Sequence, residues 1–136
     1  QGARCFITST NKASYLVEKI WKKIGSRVIR VTPCAHDNIT CLISHLPHFI
    51  CFSLVGAIPD KYLEFSSSGF ADLTRIASSS GDLWADIFLS NKSKMLKYID
   101  RYNDFSNELK DSIIKEDKKR LKKLMKKANK KRKKIL

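Results

Sequence analysis

The stretch DNITCLISHLPHFICFSLVGA, residues 37–57, decides the fold of this chain. Wound as a helix at about 100° per residue, it is apolar on nearly every side. Such a helix is buried, either in a large core or in an interface between subunits. Pro47 lies inside the stretch, so the pattern predicts a kink that frees the carbonyl of Ile43.

One stripe of this predicted helix is polar and contains Cys41, Ser44, His45 and His48 within about 100° of arc. Polar groups in a buried helix need partners, which favours a ligand-facing seam over a hydrogen-bonded core pair. His45 and His48 have a spacing that can bind a metal, but a metal site wants a third or fourth ligand. His36 lies half a turn away at the helix start, so we expect no metal site.

The residues before this stretch predict a strand, a helix and a second strand over residues 3–8, 11–24 and 27–31. Gly25 is a suitable helix terminator. Such a succession is one βαβ unit, and a single unit cannot form a stable parallel sheet by itself. We therefore assign residues 1–33 to the last piece of a larger α/β domain and residues 34–136 to a separate, all-helical domain.

The residues after it predict a loop over 60–69, a short segment over 70–77 and a capping turn over 78–82. A long helix with a heptad-like seam is expected over 83–114, and a lysine-rich helix closes the chain. The chain is thus mainly α, and the apolar helix together with the seam predicts a homodimer.

Two further features lie in this half of the chain. Asp72 and Arg75 form either an ordinary surface ion pair or a brace that holds the guanidinium for a substrate carboxylate. Trp84 is most simply a core residue.

The charge of the chain is concentrated at one end. The chain has 27 basic and 13 acidic residues, which gives a net charge of +14. Residues 115–134 hold +11 of this charge, with 13 basic and 2 acidic residues, and residues 1–114 hold the remaining +3. The helical spacing of four residues favours a helix that is solvated on most sides and packs through one narrow apolar stripe. The four residues are Leu121, Leu124, Met125 and Ala128. The alternative is a basic nucleic-acid-binding module, which a gel shift read across salt would reveal. Because the body has no basic cluster, nucleic acid is not an expected partner.

Several classes of protein are not indicated. No run of about 18 apolar residues and no export signal is evident, so neither a transmembrane helix nor a membrane partner is expected. The four cysteines make no CxxC pair, which indicates a reducing, cytoplasmic location. No glycine-rich nucleotide loop or nucleophile motif is present, so no complete catalytic apparatus is visible.

Three segments, in order, resemble the signatures of the prephenate and arogenate dehydrogenase family. They are HDNITCLISHLPH at 36–48, GFADLTRIA at 69–77, and LWADIF at 83–88 followed by Asn91. The resemblance implies a helical dimerisation domain like the C-terminal domain of 6-phosphogluconate dehydrogenase, preceded by a short βαβ remnant of a Rossmann domain.

The same resemblance implies an activity, namely oxidative decarboxylation of prephenate, or of arogenate, on the way to tyrosine. For prephenate the product is 4-hydroxyphenylpyruvate. NAD or NADP would be bound mainly by the missing N-terminal domain, which also holds the family's general-base histidine. We therefore expect no catalytic residue within this chain and no activity from it alone.

The family's functional residues map onto matching positions. Arg75 would bind a substrate carboxylate while Asp72 braces it and Ser44 orients the site. Trp84 would reach the site across the dimer. The remaining residues expected to line or shape the substrate pocket are His36, His45, His48 and Gly69. Cys41 and Cys51 stand where the family usually has alanine, and Ala71 replaces a basic residue often found there.

Overall fold

The computed structural model describes residues 2–135, and the chain opens with a parallel strand pair. Strands β1 (Arg4–Ile7) and β2 (Arg27–Arg30) pair in parallel and are joined by helix α1 (Lys12–Lys23). Asn11 caps α1 by accepting the amide of Ser14, and Gly25 follows the helix with a φ of 85°. This positive φ is one that glycine adopts without steric cost. The βαβ unit expected from the sequence is confirmed.

The apolar helix is longer than predicted. It consists of α2 (Pro33–Thr40), a π turn over Cys41–His45 and α3 (Leu46–Gly56). The helix begins at Pro33 because the Thr32 side chain caps the amide of Ala35. Proline is well suited to the first helical position, where its missing N–H would have had no partner.

The π turn marks the place where Pro47 interrupts the helix. The amide of Leu46 donates to the carbonyl of Cys41, five residues back rather than four. A proline inside a helix removes one hydrogen bond and crowds the carbonyl four residues earlier. The wider turn accommodates that defect, so the expected kink takes the form of a π turn, a feature found frequently at functional sites.

Few residues of the apolar helix are fully buried within its own chain. Pro33–Gly56 is 24 residues long with a mean hydropathy of 1.6, and 11% of its apolar window is buried. By length and composition alone it could cross a membrane, and the expectation of no transmembrane helix stays a prediction. A core helix of a soluble protein passes the same test. Either way, the exposed apolar surface calls for cover from outside the described residues.

The middle of the chain is more helical than predicted. The expected loop contains a 3-10 helix at Asp60–Phe65, and α4 (Ser68–Thr74) begins before that loop was to end. A second 3-10 turn at Arg75–Ser78 follows, and then α5 (Gly81–Ser90). The Ser80 hydroxyl accepts the amide of Leu83, which confirms the predicted cap. The serines and the glycine of residues 66–69 also favour turns, so the sequence did not reveal that α4 begins there.

The predicted helix over 83–114 is two helices, α5 and α6 (Lys92–Ile114), separated at Asn91. Asn91 adopts φ −116° and ψ 30°, and its side-chain amide donates to the carbonyl of Asp37. This long-range hydrogen bond, which periodicity cannot reveal, accompanies the break. The basic segment forms α7 (Lys118–Arg132), capped by Asp117. Leu124 is buried as predicted, whereas Met125 is exposed.

Contacts divide the chain into two compact units, residues 1–95 and 96–136. This division does not test the assignment of residues 1–33 to a separate domain, which stays a prediction. In the first unit Cys41 is fully buried and its thiol lies 3.4 Å from the sulfur of Met95. The Cys51 thiol donates to the carbonyl of Leu73. Both cysteines therefore pack as small apolar residues, and burial raises the pKa of the Cys41 thiol.

Candidate functional site

A cluster of aromatic and imidazole rings lies where α5 meets the π turn and α3. The rings of His48 and Trp84 stack with centroids 3.5 Å apart, and His45 meets Trp84 edge-on at 6.2 Å. Phe88 completes the cluster at 5.6 Å from Trp84. Trp84 is 8% exposed, which confirms the prediction from local sequence that it is a core residue. Its expected reach into a partner's site stays a prediction.

His48 has a defined tautomer. Its Nδ1 lies 2.9 Å from the carbonyl oxygen of Ser44, an acceptor, so Nδ1 carries the proton and donates. In the neutral ring Nε2 is then a free acceptor. Ser44 therefore orients His48 through its backbone carbonyl. The Ser44 hydroxyl itself makes no hydrogen bond among residues 2–135.

His45 carries an unsatisfied nitrogen. Its Nδ1 is buried and has no hydrogen-bond partner within the described chain. Burial lowers the pKa of His45, and positive charge on His36 and His48 lowers it further, while Asp37 opposes them. A buried polar atom without a partner costs about 1–3 kcal/mol. The polar seam expected from the sequence thus presents a neutral imidazole whose Nδ1 partner is not among residues 2–135.

His36 lies in α2, close to the helix start as predicted. Its Nδ1 is 3.2 Å from the carboxylate of Asp37, and its ring meets Phe6 of β1 edge-on at 5.8 Å. The π turn over Cys41–His45 lies between His36 and His48 and has more residues per turn than a regular helix, so the half-turn separation inferred for a regular helix stays a prediction. A positive charge on His36 lowers the pKa of His45.

Sequence reasoning missed the residues that surround Asp37. The Lys94 ammonium lies 3.5 Å from the second oxygen of the Asp37 carboxylate, and Asn91 donates to the Asp37 carbonyl at 3.0 Å. The hydrogen bond from His36 lowers the pKa of Asp37, and the Lys94 charge lowers it further. The adjacent His36–Asp37 dipeptide was an available signal, whereas Lys94 lies 57 residues away and had none.

Arg75, expected to bind a carboxylate, begins the 3-10 turn that packs against α3, and its side chain is exposed. Asp72 is also exposed, and no ion pair joins it to Arg75 among residues 2–135. The structure therefore does not bring the two together, and the bracing role stays a prediction.

Gly69 lies in the first turn of α4 and is exposed. A Cβ added there would meet only the Ser67 hydroxyl, at 4.0 Å. The space around this position therefore does not require glycine, and its role in substrate binding stays a prediction.

The described residues offer neither a metal site nor a dinucleotide site. Within residues 2–135 no group of three or more His, Cys, Asp or Glu side chains is placed to hold a metal. The turn between β1 and α1 is TSTN, residues 8–11, without a glycine to admit a pyrophosphate against the backbone. A groove of about 1060 Å³ runs along α7, but none of the predicted site residues lines it.

Comparison with known proteins identifies the family that the chain matches. Residues 32–127 match the family model described as prephenate dehydrogenase, dimerization domain. A cyclohexadienyl dehydrogenase of Zymomonas mobilis is 30% identical over 81% of this chain and 40% of its own length. A prephenate dehydrogenase of Bacillus subtilis is 35% identical over 68% of this chain and 26% of its own length.

A solved structure shares the fold. The crystal structure of prephenate dehydrogenase from A. aeolicus, in complex with hydroxyphenyl propionate and NAD+, aligns with a TM-score of 0.85. The two chains are 33% identical, and the match covers 98% of this chain and 50% of that one. This chain spans between about a quarter and two-fifths of the length of these two curated relatives. The chain belongs to the prephenate dehydrogenase family, and residues 32–127 correspond to its dimerisation domain.

Proposed function

We propose that this chain is the substrate-binding and dimerisation part of a cytoplasmic, NAD(P)-dependent prephenate dehydrogenase. The whole protein would oxidatively decarboxylate prephenate to 4-hydroxyphenylpyruvate in tyrosine biosynthesis. Arogenate is the alternative substrate. The proposal is supported by the family match and by the ligands named for the A. aeolicus structure, hydroxyphenyl propionate and NAD+.

The observation that carries the proposal is the ring cluster of His45, His48 and Trp84. His48 lies in α3, the helix that packs against the 3-10 turn beginning at Arg75. An exposed guanidinium can hold a carboxylate by two parallel hydrogen bonds. His48 Nε2 can accept a hydrogen bond from a substrate hydroxyl group. Together these groups suit a small, cyclic, anionic substrate.

The apolar helix supports a homodimer. Its apolar window is 11% buried, although a helix of this composition normally lies in a core or an interface. A second copy of the chain would cover that surface, and residues 32–127 match a family model described as a dimerization domain. This occupant requires no membrane.

The cofactor would be held by residues outside this chain, since the turn between β1 and α1 does not fit a pyrophosphate. NAD or NADP would supply the acceptor for the hydride. The residues of this chain would bind and orient the substrate. By itself the chain is therefore expected to show no NAD-dependent or NADP-dependent turnover of prephenate, and detectable turnover would contradict this division of labour.

Calorimetric titration of prephenate, arogenate and hydroxyphenyl propionate into the chain tests the proposal. Arg75→Ala should weaken binding by about 10-fold or more, since a charge-assisted hydrogen bond contributes about 1.5–3 kcal/mol. The matched control is Arg101→Ala, an exposed arginine of α6 with no ion pair among the described residues.

Each outcome of this titration either supports or contradicts the proposed substrate site. Binding of prephenate that depends on Arg75 and not on Arg101 supports the proposal, and stronger binding of arogenate would select the alternative substrate. If no ligand binds, or if both arginine variants bind as the parent chain does, the proposed substrate site is wrong.

A further inference from the structure

A groove in the second compact unit is lined mainly by basic side chains. It runs along α7 and has a volume of about 1060 Å³, and Glu108 of α6 contributes to its lining. Seven basic and two acidic side chains line it, which gives the lining a net charge of +5. The six lysines among them are Lys119, Lys122, Lys123, Lys126, Lys127 and Lys130. This concentration of positive charge has no part in the candidate substrate site.

Four of these lysines form a row on one face of α7, called the lysine row below. At about 100° per residue they fall within about 60° of arc, and they span about 16 Å of helix. All four are exposed, and none makes an ion pair within residues 2–135. The fold needs no ligand here because water solvates lysines well, but their potentials add in the groove and attract anions. The lysine row consists of Lys119, Lys123, Lys126 and Lys130.

The composition of the lining indicates which anion fits the groove. A lysine ammonium is a compact point charge without the planar fork by which arginine pairs with carboxylates, so charge density rather than geometry would select the ligand. Proteins that hold single-stranded nucleic acid combine a basic groove with aromatic rings on which the bases stack. No aromatic residue lines this groove in the described part of the chain, and its apolar liner Leu124 is buried. A chain of phosphates without bases meets these conditions.

We propose that the groove along α7 is a binding surface for linear inorganic polyphosphate, which the lysine row holds by charge. Binding of a polyanion to lysines releases its counterions, so the affinity falls as the salt concentration rises. Contact with about four phosphates would give a slope of about −3 in a plot of log K against log salt concentration. The proposal needs neither substrate nor cofactor and stands apart from the proposed function.

Calorimetric titration of inorganic polyphosphate into the whole chain, repeated over a range of salt concentrations, tests the proposal. A variant in which the four lysines of the row are replaced by glutamine should bind about tenfold or more weakly, because several exposed ion pairs are lost together. The matched control removes the same charge from α7 and its ends without touching the groove lining, and it should retain most of the affinity. It combines Lys118→Gln, Lys131→Gln, Lys133→Gln and Lys134→Gln.

A single substitution in α6 should have the opposite sign. Glu108→Gln removes a negative charge from the groove lining, so it should strengthen binding by about twofold. Glu64→Gln removes the same charge from an exposed residue that does not line the groove, and it should have a clearly smaller effect.

The measured affinities decide between the groove and simple net charge. If the variant of the lysine row and its matched control lose equal affinity, net charge binds the anion and the proposal is overturned. Equal or tighter binding of a single-stranded oligonucleotide or of polyglutamate would also overturn it. If circular dichroism shows that the variant of the lysine row has lost helix, Glu108→Gln decides, and unchanged binding in that variant would overturn the proposal.

Discussion

Two helices of this chain stand at opposite extremes of composition. Pro33–Gly56 is apolar on nearly every side, yet only Cys41 and Cys51 of this helix are fully buried. Helix α7 is basic on nearly every side, and Leu124 is its one buried residue within the described part of the chain. The apolar helix exposes surface that water does not favour, whereas the basic helix exposes surface that water solvates well.

The difference shows which composition calls for a partner. A net charge of +11 in residues 115–134 is the more conspicuous feature, but solvated lysines are satisfied without any ligand. The apolar helix is the less conspicuous feature, and its exposed side chains require cover. Residues that bind, orient and associate are therefore expected around the apolar helix.

The largest expected effect compares one isoleucine from each region. Ile43 in the π turn and Ile113 in α6 are 62% and 63% exposed. Ile43→Glu should abolish the dimer, because a charge buried without a partner costs about 3–5 kcal/mol and a homodimer would carry two. Ile113→Glu should leave association unchanged. Sedimentation velocity at micromolar concentration measures both, and a parent chain that is already monomeric would overturn the comparison.

A second prediction compares two tryptophan side chains that differ in burial, Trp84 in α5 and Trp21 in α1. Trp84→Ala should lower the free energy of unfolding of the first unit by about 3–5 kcal/mol, because its ring is 8% exposed and stacks on His48. Trp21→Ala, at a tryptophan that is 40% exposed, should cost clearly less. Amide hydrogen exchange reports the local stability of α3 and of α7 separately. Equal loss of protection in α3 and α7 would mean that they do not unfold independently.

The smallest expected effect is a pH dependence confined to the apolar helix. Burial lowers the pKa of His45 below its ordinary value of 6.5, so the unfolded chain takes up this proton more readily than the folded one. Stability attributable to His45 is then present above about pH 6.5 and is lost as the pH falls towards the lower, folded pKa.

Chemical denaturation at a series of pH values measures this loss. His45→Gln should flatten the acid side of the stability profile in that range. The matched variant is Lys130→Gln in α7, a residue with no ion pair among residues 2–135, which should leave the shape unchanged. A His45→Gln profile that still parallels the parent chain would assign the acid sensitivity to other groups.

The sequence predicted those parts of the fold that depend on local patterns. The two strands, the Gly25 terminator and the Ser80 cap form as expected. Of the apolar stripe predicted for α7, Leu124 is buried and Met125 is exposed. The boundaries that were wrong depend on contacts distant in sequence. The break at Asn91 is an example, because its side chain bonds to Asp37, 54 residues away.

By itself the sequence determined the family, through three ordered motifs, and the residue types of the candidate site. Only the tertiary structure decided how those residues act. A π turn forms at Cys41–His45, the Ser44 carbonyl sets the tautomer of His48, and Asp37 contacts both His36 and Lys94. Hydrogen-bond partners, burial and charge balance depend on the arrangement of separate segments, which residue spacing along one helix does not specify.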